Sequence, residues 1–234
     1  MKRAYALVKR FKQLTKQEAL VADEPSGPGT RTRLLDAAVE LIAESGWAAT
    51  TSRSVAERAG VNNALVHYYF GSVDALRRAA VTHALESELE GPVLAILQAD
   101  DTLDGVLHAV GSLTREDAAT PGPRVLAEAL VQGLRDPVLR EQTATQLRAF
   151  RELLAARLAE DRAAGRLRGE ADPAALAVVL TALLDGLLLH RLADPGFDAM
   201  SPTASVLGLL RPPGAPHSAA PAGDAAQSFG KENT

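Results

Sequence analysis

Apolar residues recur three and four positions apart along most of the chain, and no stretch alternates polar with apolar for long enough to make a strand. The pattern predicts an all-α protein. Leu34, Leu35, Ala38, Leu41 and Ile42 make one face of a helix from about Thr30 to Ser45. Gly46 stops it, since glycine takes the left-handed backbone of a C′ position without steric cost. Trp47 follows directly, placed to pack this helix on the next two. Val55, Ala56 and Ala59 mark a short second helix, with Thr50 or Thr51 as its cap, Gly60 as its stop, and Arg53, Glu57 and Arg58 turned to solvent. A third helix restarts at Asn62 or Asn63, with Val66 and Phe70 inward at i and i+4. Gly71-Ser72 makes the next turn, and Ser72 caps a long helix to about Leu89.

The rest of the chain reads as further helices at about Thr102–Asp117, Gly122–Gly133, Pro137–Ala164, Pro173–Leu192 and Thr203–Leu210. Gly91-Pro92, Pro121-Gly122-Pro123, Gly165 with Gly169, and Asp194-Pro195-Gly196 are read as breaks between them. Asp136-Pro137 and Asp172-Pro173 each match an Asp cap followed by proline at the first helical position. Pro173–Leu192 differs from the others because apolar residues wrap nearly all of it. A helix apolar all round needs cover on both sides. Either it is the central core helix of a monomer, or it sits at a dimer seam through Leu176, Leu180, Leu183, Leu184, Leu187 and Leu188.

Two short helices joined by a tight glycine turn make a helix-turn-helix. Its second helix leaves Asn62, Asn63, His67, Tyr68 and Tyr69 outside, an acid-free face of amides and aromatics. Asn can bond adenine bidentately, and Tyr and His reach phosphates, so DNA suits this face. The plain alternative is a helical hairpin whose exposed face happens to lack acids. The stretch from Arg33 to Leu76 also carries Leu34-Leu35-Asp36-Ala37-Ala38, Gly46-Trp47, Thr50-Thr51, Val55-Ala56-Glu57-Arg58-Ala59-Gly60-Val61 and Tyr69-Phe70-Gly71-Ser72. This motif resembles the N-terminal domain of TetR-family transcriptional regulators. The resemblance implies a ligand-responsive dimer with a three-helix DNA-binding head and a larger helical body for ligand binding and dimerisation. Asn63 and Tyr68 would then point at base edges, Arg53 at a guanine edge, Thr51 and Ser52 at phosphate, and Leu65, His67 and Tyr69 toward the backbone, with Ala64 on the same surface. His67 and Val73 depart from the family pattern, which has Tyr and often Lys there.

Charge distribution adds to this picture. The 234-residue chain carries a net charge of −4, yet residues 1–78 hold 12 Lys and Arg against 8 Asp and Glu, and residues 79–234 hold 13 against 21. A basic head on an acidic body orients the head toward phosphates. The division expected is 1–29 as basic extension and linker, 30–76 as DNA-binding head, 77–210 as body, and 211–234 as a disordered Pro-, Ala-, Gly- and Ser-rich tail. Lys2, Arg3, Lys9, Arg10, Lys12 and Lys16 fit a DNA-binding arm, a membrane-surface helix or a dispensable extension.

No cysteine is present and the five His are scattered, so no metal or other cofactor is expected. No Gly-rich phosphate loop or nucleophile elbow occurs, which argues against an enzyme. The acid pairs Asp100-Asp101 and Glu160-Asp161 read as solvated charge. His108, Gln132 and Asp185 each interrupt an apolar helical stretch and are candidate ligand-pocket residues. The expected function is a cytoplasmic homodimeric repressor, released from an inverted-repeat operator in double-stranded DNA by a small, largely apolar effector. The alternative is a helical adaptor that has lost DNA binding.

Overall fold

Side-chain caps and glycine stops set most of the helix ends. The computed structural model describes residues 29–113 and 121–213. Its elements are α1 (Thr30–Ala49), α2 (Ser52–Ala59), α3 (Ala64–Phe70), α4 (Val73–Gln98), α5 (Thr102–Leu113), α6 (Gly122–Gly133), α7 (Pro137–Ala163), α8 (Pro173–Ala193) and α9 (Met200–Gly208). No strand occurs among the described residues. The basic extension and most of the Pro-rich tail lie outside them.

Asp136 and Asp172 cap α7 and α8 as their Asp-Pro pairs require; Asp136 Oδ1 accepts from the Val138 and Leu139 amides at 3.0 and 3.1 Å. Gly46 is the anticipated stop, at φ +81°, but the chain turns helical again for Trp47–Ala49, so α1 is kinked there and not ended. Gly91-Pro92 does not break the chain either. Proline removes a backbone donor and usually kinks or ends a helix, yet α4 runs through it to Gln98. Buried Leu85 before it and buried Val93, Ile96 and Leu97 after it fix both halves in the core, and this packing outweighs one lost hydrogen bond.

Two clusters of buried side chains result. One joins α1, α2, α3 and the first half of α4 to Val125, Leu126 and Ala129 of α6, Leu139 of α7 and Leu188 of α8. The other joins the second half of α4 to α5, α7, α8 and α9. Helix α4 therefore belongs to both, and any displacement of it is felt at the head. Where α4 meets α5 the backbones touch. A Cβ on Gly105 would stand 2.7 Å from Ile96 Cα and 3.0 Å from the Ala95 carbonyl oxygen. Gly105→Ala is expected to lower stability by about 1–3 kcal/mol through overpacking. An unchanged denaturant midpoint would contradict that close approach.

The acid pairs are structural and not merely solvated. Asp161 is fully buried; its Oδ2 accepts the Thr102 amide at 2.7 Å and its Oδ1 accepts from Arg166 Nη2 at 2.6 Å. Asp101 and Asp104 hold Arg211 at 2.6 and 2.7 Å, so the first residue of the expected tail is ordered by an ion pair. A carboxylate in a loop looks alike in sequence whether or not a distant segment folds over it.

Candidate nucleic-acid interface and interior cavity

The helix-turn-helix is built from local hydrogen bonds. Thr51 and Ser54 form a reciprocal capping box at the start of α2, with the Ser54 amide donating to Thr51 Oγ1 at 3.1 Å and the Thr51 amide to Ser54 Oγ at 2.9 Å. Gly60 takes the left-handed conformation, φ 64° and ψ 39°, and ends α2. Asn62 Oδ1 accepts the Ala64 amide at 2.8 Å, so this amide side chain shapes the turn before α3. Asn63, at the cap position, makes no side-chain cap bond. Buried Val55, Ala56, Ala59 and Val66 hold the two helices together.

Arg33 on α1 and Arg77 on α4 brace the unit, and Arg58 on α2 ties it back to α1. Arg33 donates to the Ala59 carbonyl and, at 3.4 Å, to the Gly60 carbonyl. Arg77 donates to the Thr50 and Ala48 carbonyls at 2.7 and 3.2 Å, and its guanidinium lies 5.9 Å from the centre of the Trp47 ring. Arg58 does not simply face solvent, as the sequence pattern predicts: it bonds Glu40 and Glu44 on α1 at 3.0 and 2.7 Å. Those bonds hold the Glu44 carboxyl below its usual pKa.

The residues expected to face DNA differ in how far they are exposed. Thr51, Arg53, Asn62, Asn63, Ala64, His67 and Tyr68 are exposed, and Tyr68 is 76% exposed. Ser52, Leu65 and Tyr69 are half-buried, and Leu65 and Tyr69 also pack on the head's core. Tyr68 and Tyr69 meet edge to face, ring centres 5.0 Å apart. His67 Nδ1 lies 3.3 Å from the Gly71 carbonyl oxygen, tying it to the turn after α3.

Inside the body, a cavity of about 40 Å³ lies among α4, α6, α7 and α8. Its walls are mostly apolar, with Leu85, Pro92, Leu147 and Phe150 among them, and Thr143, Gln146, Thr181 and Asp185 reach it. Of the three polar residues singled out in sequence, the fold brings only Asp185 to this cavity. His108 is exposed on α5, and Gln132 lies at the end of α6, 3.5 Å from Glu128 Oε2. His108 interrupts its apolar run because it stands on the outer side of α5, whereas Gln132 is half-buried in the last turn of α6. Thr143 and Gln146 were missed: α7 is charged along much of its length, and two polar residues spaced i and i+3 there carry no sequence signal.

Burial pushes the Asp185 carboxyl up to about 6, against a smaller opposing pull from Arg151. An unfolded Asp titrates near about 3.9. Between these values the folded chain keeps a proton that the unfolded chain has lost. Stability from this group is therefore complete below about pH 4 and lost as pH rises to about 6. Asp185→Asn removes that loss. The variant's melting temperature, relative to the parent, is expected to climb from pH 4 to pH 6 and then level off; parallel curves for the two proteins would refute it.

On α8 the six leucines read from sequence as a dimer seam divide between core and half-buried positions. Leu180, Leu184 and Leu188 are buried in the chain's own core, and Leu176, Leu183 and Leu187 are half-buried against it. The apolar surface left outside includes Val178, Val179, Ala182, Leu189 and Leu192. By length and composition α8 could cross a membrane. Its inner side instead packs on α7, and Asp185 sits within it.

A helix-turn-helix whose second helix carries no acid, joined to a helical body with an internal cavity, is the architecture of a ligand-responsive transcriptional regulator. The family model for bacterial regulatory proteins, tetR family, matches residues 34–80, and that for the C-terminal region of the BetI-type transcriptional repressor matches 99–207. The HTH-type transcriptional regulator BetI of Burkholderia mallei is 31% identical over 163 residues, covering 68% of this chain and 80% of the relative. Its counterpart in Burkholderia thailandensis is 31% identical over 172 residues, 72% and 85% of the two chains. The chain belongs to the TetR family of transcriptional regulators. The same fold recurs in a TetR-family regulator from Rhodococcus sp. (TM-score 0.69, 22% identity, 77% of this chain and 98% of that one). It recurs too in a transcriptional regulator from Saccharomonospora viridis in complex with choline (TM-score 0.65, 21% identity, 76% and 93%).

Proposed function

We propose that the chain is a homodimeric repressor whose head reads an inverted-repeat operator and whose body releases it on binding a small, largely apolar effector. The observation that carries this reading is the path from cavity to head. Leu85 and Pro92 of α4 line the cavity. Nearer the head, Arg78 of α4 donates to Asp136 Oδ2 at 2.6 Å, and its neighbour Arg77 donates to the Thr50 carbonyl beside the α2 cap. Burial raises the Asp136 pKa, but the Arg78 hydrogen bond and the Leu139 and Val138 amides outweigh it and hold the carboxyl below its ordinary value. The joint is therefore charged and directional at neutral pH.

An effector seated in the cavity wedges between α4 and the facing helices α7 and α8, and the form that accommodates it best has them further apart. Parting them moves α4, and with it both heads of a dimer, out of register with successive major grooves. Release requires that the effector bind the parted form more tightly; equal affinity for both forms would shift nothing. The choline-bound S. viridis structure supports a small organic effector. Selection from a random DNA pool tests the head. An enriched inverted repeat is expected, and recovery of no common sequence would remove operator binding from the proposal.

A further inference from the structure

The effector cavity contains more polar capacity than the chain itself satisfies. Gln146 is 5% exposed and its Oε1 has no hydrogen-bond partner; Thr143 is 6% exposed and its Oγ1 has none. They stand i and i+3 on α7, which puts both on one side of the helix, and both line the cavity. Across from them α8 contributes Asp185, whose carboxylate makes no hydrogen bond or ion pair with a described residue. Arg151 lies close enough to pull its pKa slightly down but does not bridge to it. Thr181, the remaining polar residue in the wall, is already engaged, donating to the Ala177 carbonyl at 2.7 Å. Buried polar groups in native proteins almost always have partners, and groups without one mark a place where something else supplies it.

The chemistry of the three groups selects the missing partner. A carboxylate and an amide oxygen only accept hydrogen bonds, and a threonine hydroxyl both accepts and donates. With the Asp185 carboxylate and Gln146 Oε1 both turned to the cavity as acceptors, one of them anionic, the site favours a ligand with N–H or O–H donors and positive charge at that end. The remaining walls, Leu85, Leu126, Leu147, Phe150, Leu184 and Leu188, require the rest of the ligand to be apolar. We infer that this cavity is a receptor for a protonated primary or secondary amine on a short hydrocarbon body, its ammonium held between the Asp185 carboxylate and Gln146 Oε1, with the Thr143 hydroxyl as third contact. A carboxylate ligand is excluded by charge. A quaternary ammonium satisfies the charge but has no N–H for Gln146. A neutral alcohol satisfies one acceptor and leaves the carboxylate bare. This assignment rests on the reading of the cavity as the effector site.

The test uses the full chain and four probes of one carbon skeleton: n-hexylamine, hexyltrimethylammonium, 1-hexanol and hexanoate, titrated calorimetrically at pH 7.5. Hexylamine is expected to bind at least about tenfold more tightly than each of the others, since charge-assisted hydrogen bonds are the stronger kind. Asp185→Asn should remove that preference while leaving hexanol binding within about threefold. Gln146→Leu, which keeps the cavity filled, should weaken hexylamine more than hexyltrimethylammonium. Hexanol or hexanoate binding as tightly as hexylamine, or hexylamine binding that ignores Asp185→Asn, would overturn the amine receptor. Release of operator DNA, followed by fluorescence anisotropy, separates this inference from the one beneath it. Hexanol releasing the operator as well as hexylamine leaves a ligand-controlled repressor and overturns the amine assignment. Hexylamine bound with the Asp185 signature and no release keeps the receptor and removes its regulatory role.

Discussion

A variant carrying both Arg53→Ala and Asn63→Ala should lose at least about 30-fold in affinity for the cognate operator, because each base-edge contact is worth roughly 1–3 kcal/mol. Both side chains are exposed, and neither supports the fold: Arg53 lies outside the capping box, and Asn63 makes no cap bond. The loss should therefore come without a change in melting temperature. Affinity for scrambled DNA should fall far less, since the phosphate contacts proposed for Thr51, Ser52 and Tyr69 would carry no base information. Asn62 is the internal control. Its Oδ1 is occupied by the Ala64 amide, so Asn62→Ala should lower stability and weaken all sequences together by loosening the start of α3. Fluorescence anisotropy against cognate and scrambled duplexes checks all three variants. Full sequence preference in the double variant would falsify this docking of α3 in the major groove.

Two substitutions one turn or so apart on α8 should have opposite consequences. Val179 is 61% exposed and belongs to the apolar outer face with Val178 and Leu189. In the homodimer proposed above, that face is the seam, and it must cover an area above about 1,200 Å² to hold the subunits together. Val179→Glu places unpaired charges in the seam and should give a folded monomer by sedimentation at micromolar concentration, with helical content kept and inverted-repeat binding lost. Leu184 is 6% exposed and faces the cavity and core of its own subunit. Leu184→Glu buries an unpartnered carboxylate there and should cost more than about 4 kcal/mol, removing cooperative unfolding. A Val179→Glu protein that still sediments as a dimer rules out this face as the seam.

The helices of the head and most of the body follow from the chain's own residue pattern, because their signals are local. A capping Thr, a left-handed glycine and apolar residues at i, i+3 and i+4 act within one or two turns, so α2, α3 and α6 fall where the pattern puts them. The same locality made the exposed face of α3 legible, since a helix this short has only one outer side. Tertiary structure decided whatever depends on two distant segments meeting. It carried α4 through Pro92, because burial on either side outweighs one missing donor. It turned Asp101 and Asp161 from loop charges into buried partners of Arg211 and Arg166. It set His108 and Gln132 outside the cavity and brought Thr143 and Gln146 into it, because which side of a helix faces a cavity depends on its neighbours and not on its own residues. On α8, where apolar residues wrap the helix and periodicity marks no side, only packing against α7 could separate the leucines of the core from the valines left at the surface.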